Sequence, residues 1–167
     1  MKKYRILWVE DGARFDLSQF AAPVYMNGSY DLKIAENATD CLSYLESNEF
    51  EVIILDIRIP PGDGPDWIKL YRKAGNDKVA ARLGLKLLYS MLVLPDAEII
   101  LVSRPSWISA EKIGILTVDS RKEVENELLN LGIQVYHQKK ADVPVTILLD
   151  VINQVIEQTE TPTQQKE

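Results

Sequence analysis

The chain is poor in soft ligands, with one cysteine, Cys41, and one histidine, His137. A single thiol forms no internal disulfide, and Cys41 lies in a helical pattern where a buried thiol is expected. No Cys/His cluster exists that would hold zinc. Long hydrophobic runs are also missing: nothing approaches the ~18 apolar residues of a membrane span. The basic start, Met1-Lys2-Lys3, leads into an apolar run from Ile6 to Val9 that stops at Glu10-Asp11, too short for a secretion signal. Positive charge is in deficit, with 19 Lys and Arg against 25 Asp and Glu and a net charge of −6. That balance argues against broad electrostatic binding of nucleic acid or of an anionic membrane. Repeats are absent, and the one low-complexity stretch is the polar tail Thr159 to Glu167, expected to be disordered. A cytoplasmic location is the expectation.

What is present suits one domain: 167 residues, 46% of them hydrophobic, enough for a sizeable core. Tyr4 to Val9 reads as a strand ending in Glu10-Asp11-Gly12. A helix is expected around Phe15, Phe20 and Ala22, stopped by Pro23, and Tyr30 to Ala35 reads as a second strand. Asn37 is an N-cap candidate for a helix whose Ala38, Cys41, Leu42 and Leu45 keep the spacing of a buried face. Glu51-Val-Ile-Ile-Leu-Asp56 is an unbroken apolar run bounded by turn residues, the pattern of a strand buried on both faces of a parallel sheet.

The second half continues the alternation. Trp67 to Tyr71 suggests a short helix broken near Gly75-Asn76, and Leu83 to Leu92 a second one, stopped by Pro95. Glu98 to Ser103 is another apolar strand, while Ile113 to Val118 reads equally as an extra strand or an irregular helix. Ser120 and Glu123 form a capping box opening a helix to Leu131, with Gly132 beyond its end. Ile133 to His137 is a strand ending at Lys139-Lys140, and Asp142 is expected to cap a last helix with Ile147, Leu148, Val151, Ile152, Val155 and Ile156 on its apolar face. The fold expected from this alternation is α/β: a doubly wound, mostly parallel sheet of at least five strands with right-handed helical crossovers.

Two strands of this pattern end in carboxylates, Glu10-Asp11 after the first and Asp56 after the third. In a doubly wound sheet they meet at one carboxyl edge, where such folds bind ligands. Three converging acids repel one another and call for a cation, and all-oxygen ligands suit Mg²⁺. A later strand ends in a hydroxyl, Ser103, and the last in an ammonium, Lys139 or Lys140. Acids, hydroxyl and lysine together form a site for handling phosphate, in which one carboxylate can be the nucleophile.

With these residues the chain resembles the receiver domain of two-component response regulators, of the chemotaxis-type, flavodoxin-like fold. The resemblance implies a doubly wound, mostly parallel five-stranded sheet of order 2-1-3-4-5 with helices on both faces and, in this chain, an inserted helical segment after the third strand. Ile6-Leu-Trp-Val-Glu10-Asp11 is similar to that family's first strand with its acidic pair, and Val52 to Pro60 followed by Gly62-Asp63-Gly64 to its phosphoacceptor strand and loop. Ile99 to Ser103 and Gly132 to Lys139 are similar to its hydroxyl-bearing and final strands, and the likeness runs from Lys3 to about Gln158. The resemblance implies that Asp56 is phosphorylated by a histidine kinase or a phosphotransfer protein. It implies that Glu10, Asp11, Asp56 and the backbone carbonyl of Arg58 hold Mg²⁺. Ser103 and Lys139 would bind the phosphoryl group, and Tyr136 would swing inward on activation. Output would pass through a downstream protein partner, with a homodimer as one form; His137, on a strand, is not expected to act as a phosphorelay histidine. The receiver domain would span residues 1–158.

The chain also departs from the family. Lys139-Lys140-Ala141 replaces the usual Lys-Pro, and Lys139 is preferred because it keeps Tyr136 in place. Arg104 follows the hydroxyl where the family favours a small residue, and Arg58 puts a cation beside the site. Thr117 also ends an apolar run at a family-like distance from Lys139; Ser103 is preferred for its more continuously apolar strand. Gly64 and Gly84 both fit the glycine that precedes the third helix, which implies an insertion of roughly 20 residues, about 65–82, beside Asp56. It carries Trp67, Tyr71, Arg72, Lys73, Lys78 and Arg82, and is expected to form a lid or recognition element with a basic, aromatic face. The alternative function is a pseudo-receiver, a binding module that works without phosphorylation. A haloacid-dehalogenase-type phosphatase is disfavoured because Arg58 stands where that class needs a second Asp.

Overall fold

The structure is a computed structural model describing residues 1–92 and 105–161. In chain order the elements are β1 (Tyr4–Val9), α1 (Ala22–Asn27), β2 (Tyr30–Ala35), α2 (Ala38–Ser47), β3 (Val52–Leu55), α3 (Pro65–Lys73), α4 (Lys78–Ala81) and α5 (Leu83–Leu92). They continue with β4 (Ile113–Thr117), α6 (Arg121–Leu131), β5 (Val135–Gln138) and α7 (Ile147–Glu160). The five strands form one sheet, every pair parallel, in the order β2-β1-β3-β4-β5.

Strand alternation sorts the core onto two faces. Leu7, Val9, Ile53, Leu55, Ile113 and Ile115 face α2, α3, α5 and α6, and Ile6, Trp8, Val52, Ile54 and Leu116 face α1 and α7. Both faces of the central strands are therefore buried, which is why β3 is apolar at every position. Gly114 belongs to the packing of α7: a Cβ there would lie 3.0 Å from Val155 Cγ2 and 3.1 Å from Val151 Cγ1.

Three local expectations are corrected. The sheet position beside β3, expected for Glu98 to Ser103, is held by Ile113–Thr117, which is buried at all five residues and pairs with β3 on one side and β5 on the other. Glu98 to Ser103 and Arg104 lie outside the described residues. Pro23 begins a helix instead of stopping one: it sits in the first turn of α1, where its missing N–H is no loss, after a 3-10 turn at Ser18–Phe20. Asp142 does not cap α7, because Pro144 intervenes and the helix starts after Thr146, ending at Glu160.

Between β3 and α5 the chain forms α3 and α4. Trp67 and Leu70 are buried against the α2–α5 face, so the aromatic side of α3 turns inward and its basic residues outward, in place of the mixed basic and aromatic face expected. The turn preceding α3 is tied to α2: Thr39 accepts from the Gly64 N–H at 2.9 Å and donates to the Pro61 carbonyl at 2.7 Å. Gly62 has φ 76° and packs where a Cβ would fall 2.4 Å from Asn37 Oδ1, so glycine is required there on both counts.

Candidate functional site

Register fixes the site. Val9 pairs with Leu55, so the next residues, Glu10 and Asp56, leave adjacent strands side by side at the carboxyl edge. Thr117 ends β4 and pairs with Gln138, and Lys139 follows, its N–H bonded to the Thr117 carbonyl at 2.7 Å. Four strand ends thus converge. α5 closes the base of this edge: the Gly84 N–H bonds the Ile57 carbonyl at 3.0 Å, and a Cβ on Gly84 would fall 2.1 Å from the Asp56 carbonyl oxygen.

Glu10 and Asp56 are 2% and 4% exposed, a cost no isolated pair of carboxylates would sustain. Lys139 offsets it. Its ammonium donates to Asp56 Oδ2 at 3.1 Å and to Glu10 Oε2. Glu10 also accepts from the Gly12 N–H at 3.0 Å, and Asp56 Oδ1 from the Arg58 N–H at 3.3 Å. Burial and the neighbouring Asp56 charge push the Glu10 carboxyl up to about 7, against the opposing pull of Lys139. Burial disfavours the Lys139 charge, but Asp56 and Glu10 reverse this and raise its pKa. Lys140 is exposed, so the lysine in the site is Lys139.

Asp11 stands at the outer side of the cluster. Burial works against its ionisation, but the Lys78 ammonium, 2.6 Å from Asp11 Oδ2, outweighs it and holds the carboxyl below its ordinary range. Carboxylate oxygens of Glu10, Asp11 and Asp56 all lie within 4.8 Å of one another. The donor set is all oxygen, and two of its three residues are buried. Those features fit a hard divalent cation such as Mg²⁺.

A second group of charges adjoins the first. Arg58 directs its guanidinium at Asp119, with Nη2 2.8 Å and Nε 3.2 Å from Oδ1. Asp119 is buried and accepts from the Thr117 hydroxyl at 3.1 Å, and the Tyr136 hydroxyl donates to the Asp119 carbonyl. Tyr136 is half-buried, with the Arg121 guanidinium 6.0 Å from its ring centre. Asp119 was not legible as part of the site. Its signal, an acid two residues after a strand-end hydroxyl, emerges only once β4 is placed at Ile113–Thr117. Ser103, expected as the hydroxyl, lies outside the described residues, and Thr117 occupies the corresponding strand end.

Neither a protein-family model nor a curated protein sequence matches the chain. Solved structures do. A CheY-like response regulator receiver domain protein from Methanospirillum hungatei JF-1 is similar at 22% identity and a TM-score of 0.60, over 95% of this chain and 98% of that one. A Burkholderia pseudomallei response regulator, solved with a phosphorylated aspartic acid, a calcium ion and citrate, is similar at 20% identity and a TM-score of 0.55, over 98% of this chain and 76% of that one. The BeF3-activated DrrB receiver domain is similar at 16% identity and a TM-score of 0.55, over 93% and 98%. With its all-parallel sheet of order 2-1-3-4-5 and this acid-lined edge, the chain has the fold of the response regulator receiver domains.

Proposed function

We propose that this chain is a two-component signal-transduction receiver: Asp56 takes a phosphoryl group from a histidine kinase or a phosphotransfer protein, and the modified domain signals through protein contacts. The observation that carries this reading is Lys139, whose ammonium joins the buried Asp56 to Glu10 at the sheet edge. In the transfer an Asp56 carboxylate oxygen attacks phosphorus, the P–N bond to the donor imidazole or the P–O bond of an acyl phosphate breaks, and the leaving group departs with the electron pair. The Lys139 ammonium stays with the transferred group as its fixed positive charge, and the Thr117 hydroxyl turns from Asp119 to donate to a phosphoryl oxygen. Glu10, Asp11, Asp56 and the Arg58 carbonyl would hold Mg²⁺, which supplies the charge that lets an anionic donor approach three carboxylates. The role is that of a signalling domain, with a kinase or phosphotransfer protein on one side, a downstream protein on the other, and a homodimer as one output form. No helix among the described residues is long and apolar enough to cross a membrane, in keeping with a cytoplasmic site of action.

One observation favours a second reading. Thr117 is bonded to Asp119 and Arg58 is paired with it, so the site is internally satisfied. That is what a binding module working without phosphorylation would keep. Incubation with Mg²⁺ and acetyl phosphate or beryllofluoride, read by intact mass and by NMR shifts, separates the two. A receiver gains one phosphoryl group that Asp56→Asn lacks; modification that survives Asp56→Asn, or no response to either reagent, selects the binding module.

A further inference from the structure

The segment between α3 and α5 reaches back over the acid cluster through one residue. Lys78, first residue of α4, places its ammonium 2.6 Å from Asp11 Oδ2. The far end of the same short helix is held elsewhere: the Arg82 guanidinium lies 3.5 Å from Glu127 and 3.3 Å from the Glu123 carbonyl on α6.

The backbone on either side of α4 is unusual. Gly75 and Asn76 precede it with φ of 76° and 55°, and Arg82 follows with φ of 46°. Asn76 and Arg82 are the only non-glycine residues with positive φ among those described. Left-handed backbone at a non-glycine residue persists where surrounding contacts hold it. The Asn76 N–H bonds the Tyr71 carbonyl at 3.0 Å and the Arg82 N–H the Lys78 carbonyl at 3.1 Å. Asp77 caps the Val79 N–H at 2.8 Å, Ala81 is buried, and Lys78 and Arg82 are the two charged anchors of the arm. The arm spans from a metal-side carboxylate to α6.

We propose that Lys78 is a built-in counter-ion for Asp11 which a divalent cation must displace, so that metal binding and release of the α4 arm are one exchange. The inference rests on the metal-binding reading of Glu10, Asp11 and Asp56. Asp11 cannot give the same oxygen to an ammonium at 2.6 Å and to a metal ion without the two cations repelling each other. Lys78 therefore lowers the affinity of the site for metal, and it converts occupation of the site into a change at the surface of α6. Lys78 acts through Asp11, as a positioning residue and not a catalytic one.

Calorimetric titration of Mg²⁺ into the full chain tests this, with Lys78→Gln, Lys78→Arg and Lys69→Gln as variants, beside backbone hydrogen exchange of residues 79–82. Lys78→Gln should tighten Mg²⁺ binding about fivefold. Lys78→Arg, which keeps the charge, should stay near wild type, and so should Lys69→Gln, which removes the same charge from the outer side of α3. Mg²⁺ should speed exchange at Val79, Ala81 and Arg82 in the wild type and leave the already fast amides of Lys78→Gln unchanged. Equal affinities for wild type and Lys78→Gln, or equal tightening by Lys69→Gln, would overturn the exchange while leaving the metal site standing. Absence of Mg²⁺ binding in both wild type and Lys78→Gln would remove the metal site and the exchange together.

Discussion

Arg58 and Asp119 form an ion pair, 2.8 Å between Nη2 and Oδ1, just beyond the ends of β3 and β4. The two residues come from the ends of neighbouring strands, two positions after Asp56 and two after Thr117. Asp119 is nearly fully buried, whereas the Arg58 side chain remains partly in solvent. The pair also holds the hydroxyl that the proposed chemistry needs, because Thr117 donates to the same carboxylate.

Truncation of Arg58 leaves Asp119 buried with a hydroxyl as its remaining side-chain partner. Arg58→Ala is expected to destabilise the domain by about 2 kcal/mol, below the ~3–5 kcal/mol of a fully buried pair because one partner is hydrated. Urea denaturation of Arg58→Ala, Asp119→Ala and the double variant measures it. The double variant should lose less than the two singles combined; strict additivity would mean that the two side chains do not stabilise each other.

Lys139 is the counter-charge of two buried acids, and its loss strands both. Lys139→Ala should cost about 3 kcal/mol at pH 8 in the absence of metal. The cost should shrink at pH 5.5, where Glu10 carries a proton. A penalty independent of pH would show that Glu10 does not change its charge between pH 5.5 and 8.

Glu10 gives the metal-free protein a pH dependence of definite sign. Burial and the neighbouring Asp56 charge push its folded carboxyl up to about 7, above the ordinary 4.5. A raised carboxyl means that the folded state binds the proton more tightly, so this stabilisation is fully present below pH 4.5 and is lost as pH rises through about 7. Metal binding runs the opposite way, since the carboxylate is the ligand form. Mg²⁺ affinity should be flat above pH 7.5 and fall by up to about tenfold per unit below pH 7. Calorimetry between pH 5.5 and 8 would show it, and a flat profile down to pH 5.5 would place the Glu10 carboxyl near its ordinary value.

Gly84 is a close-approach glycine at the back of the site. A methyl group there meets the Asp56 carbonyl at 2.1 Å and Ile57 Cα at 2.7 Å, both backbone atoms that cannot rotate away. Gly84→Ala should therefore destabilise the fold by about 3 kcal/mol and displace the Asp56 backbone, although alanine favours helices. Thermal melts with amide NMR shifts around residue 56 test this; an unchanged melting temperature would mean that α5 can move outward freely.

The arrangement of strands and the acid cluster were legible because they rest on short-range patterns. The apolar runs Ile6 to Val9 and Val52 to Leu55 identified β1 and β3, and the carboxylates at their ends needed only parallel pairing to meet. Caps were legible for the same reason: Asn37 accepts from the Asp40 N–H at 2.8 Å, and Ser120 with Glu123 forms the expected box. Pro23 was misread because a proline fits both just after a helix and in its first turn, and only the following residues decide which.

The fourth strand shows the limit of such reading. Glu98 to Ser103 and Ile113 to Thr117 are two apolar runs of similar length, and propensity does not choose between them. Ile113–Thr117 fills the position because both its edges find partners and Gly114 admits α7, relations that couple residues far apart in the chain.

The sequence by itself determined the parallel α/β frame and the convergence of Glu10, Asp11 and Asp56, since both follow from local periodicity and strand order. Only the tertiary structure decided that Thr117 ends the strand beside Asp56, that Arg58 is engaged by Asp119, and that Lys78 sits on Asp11. Those are long-range pairings of charged and hydroxyl groups. Their partners are selected by where the packed backbone brings them, and no spacing along the chain encodes that.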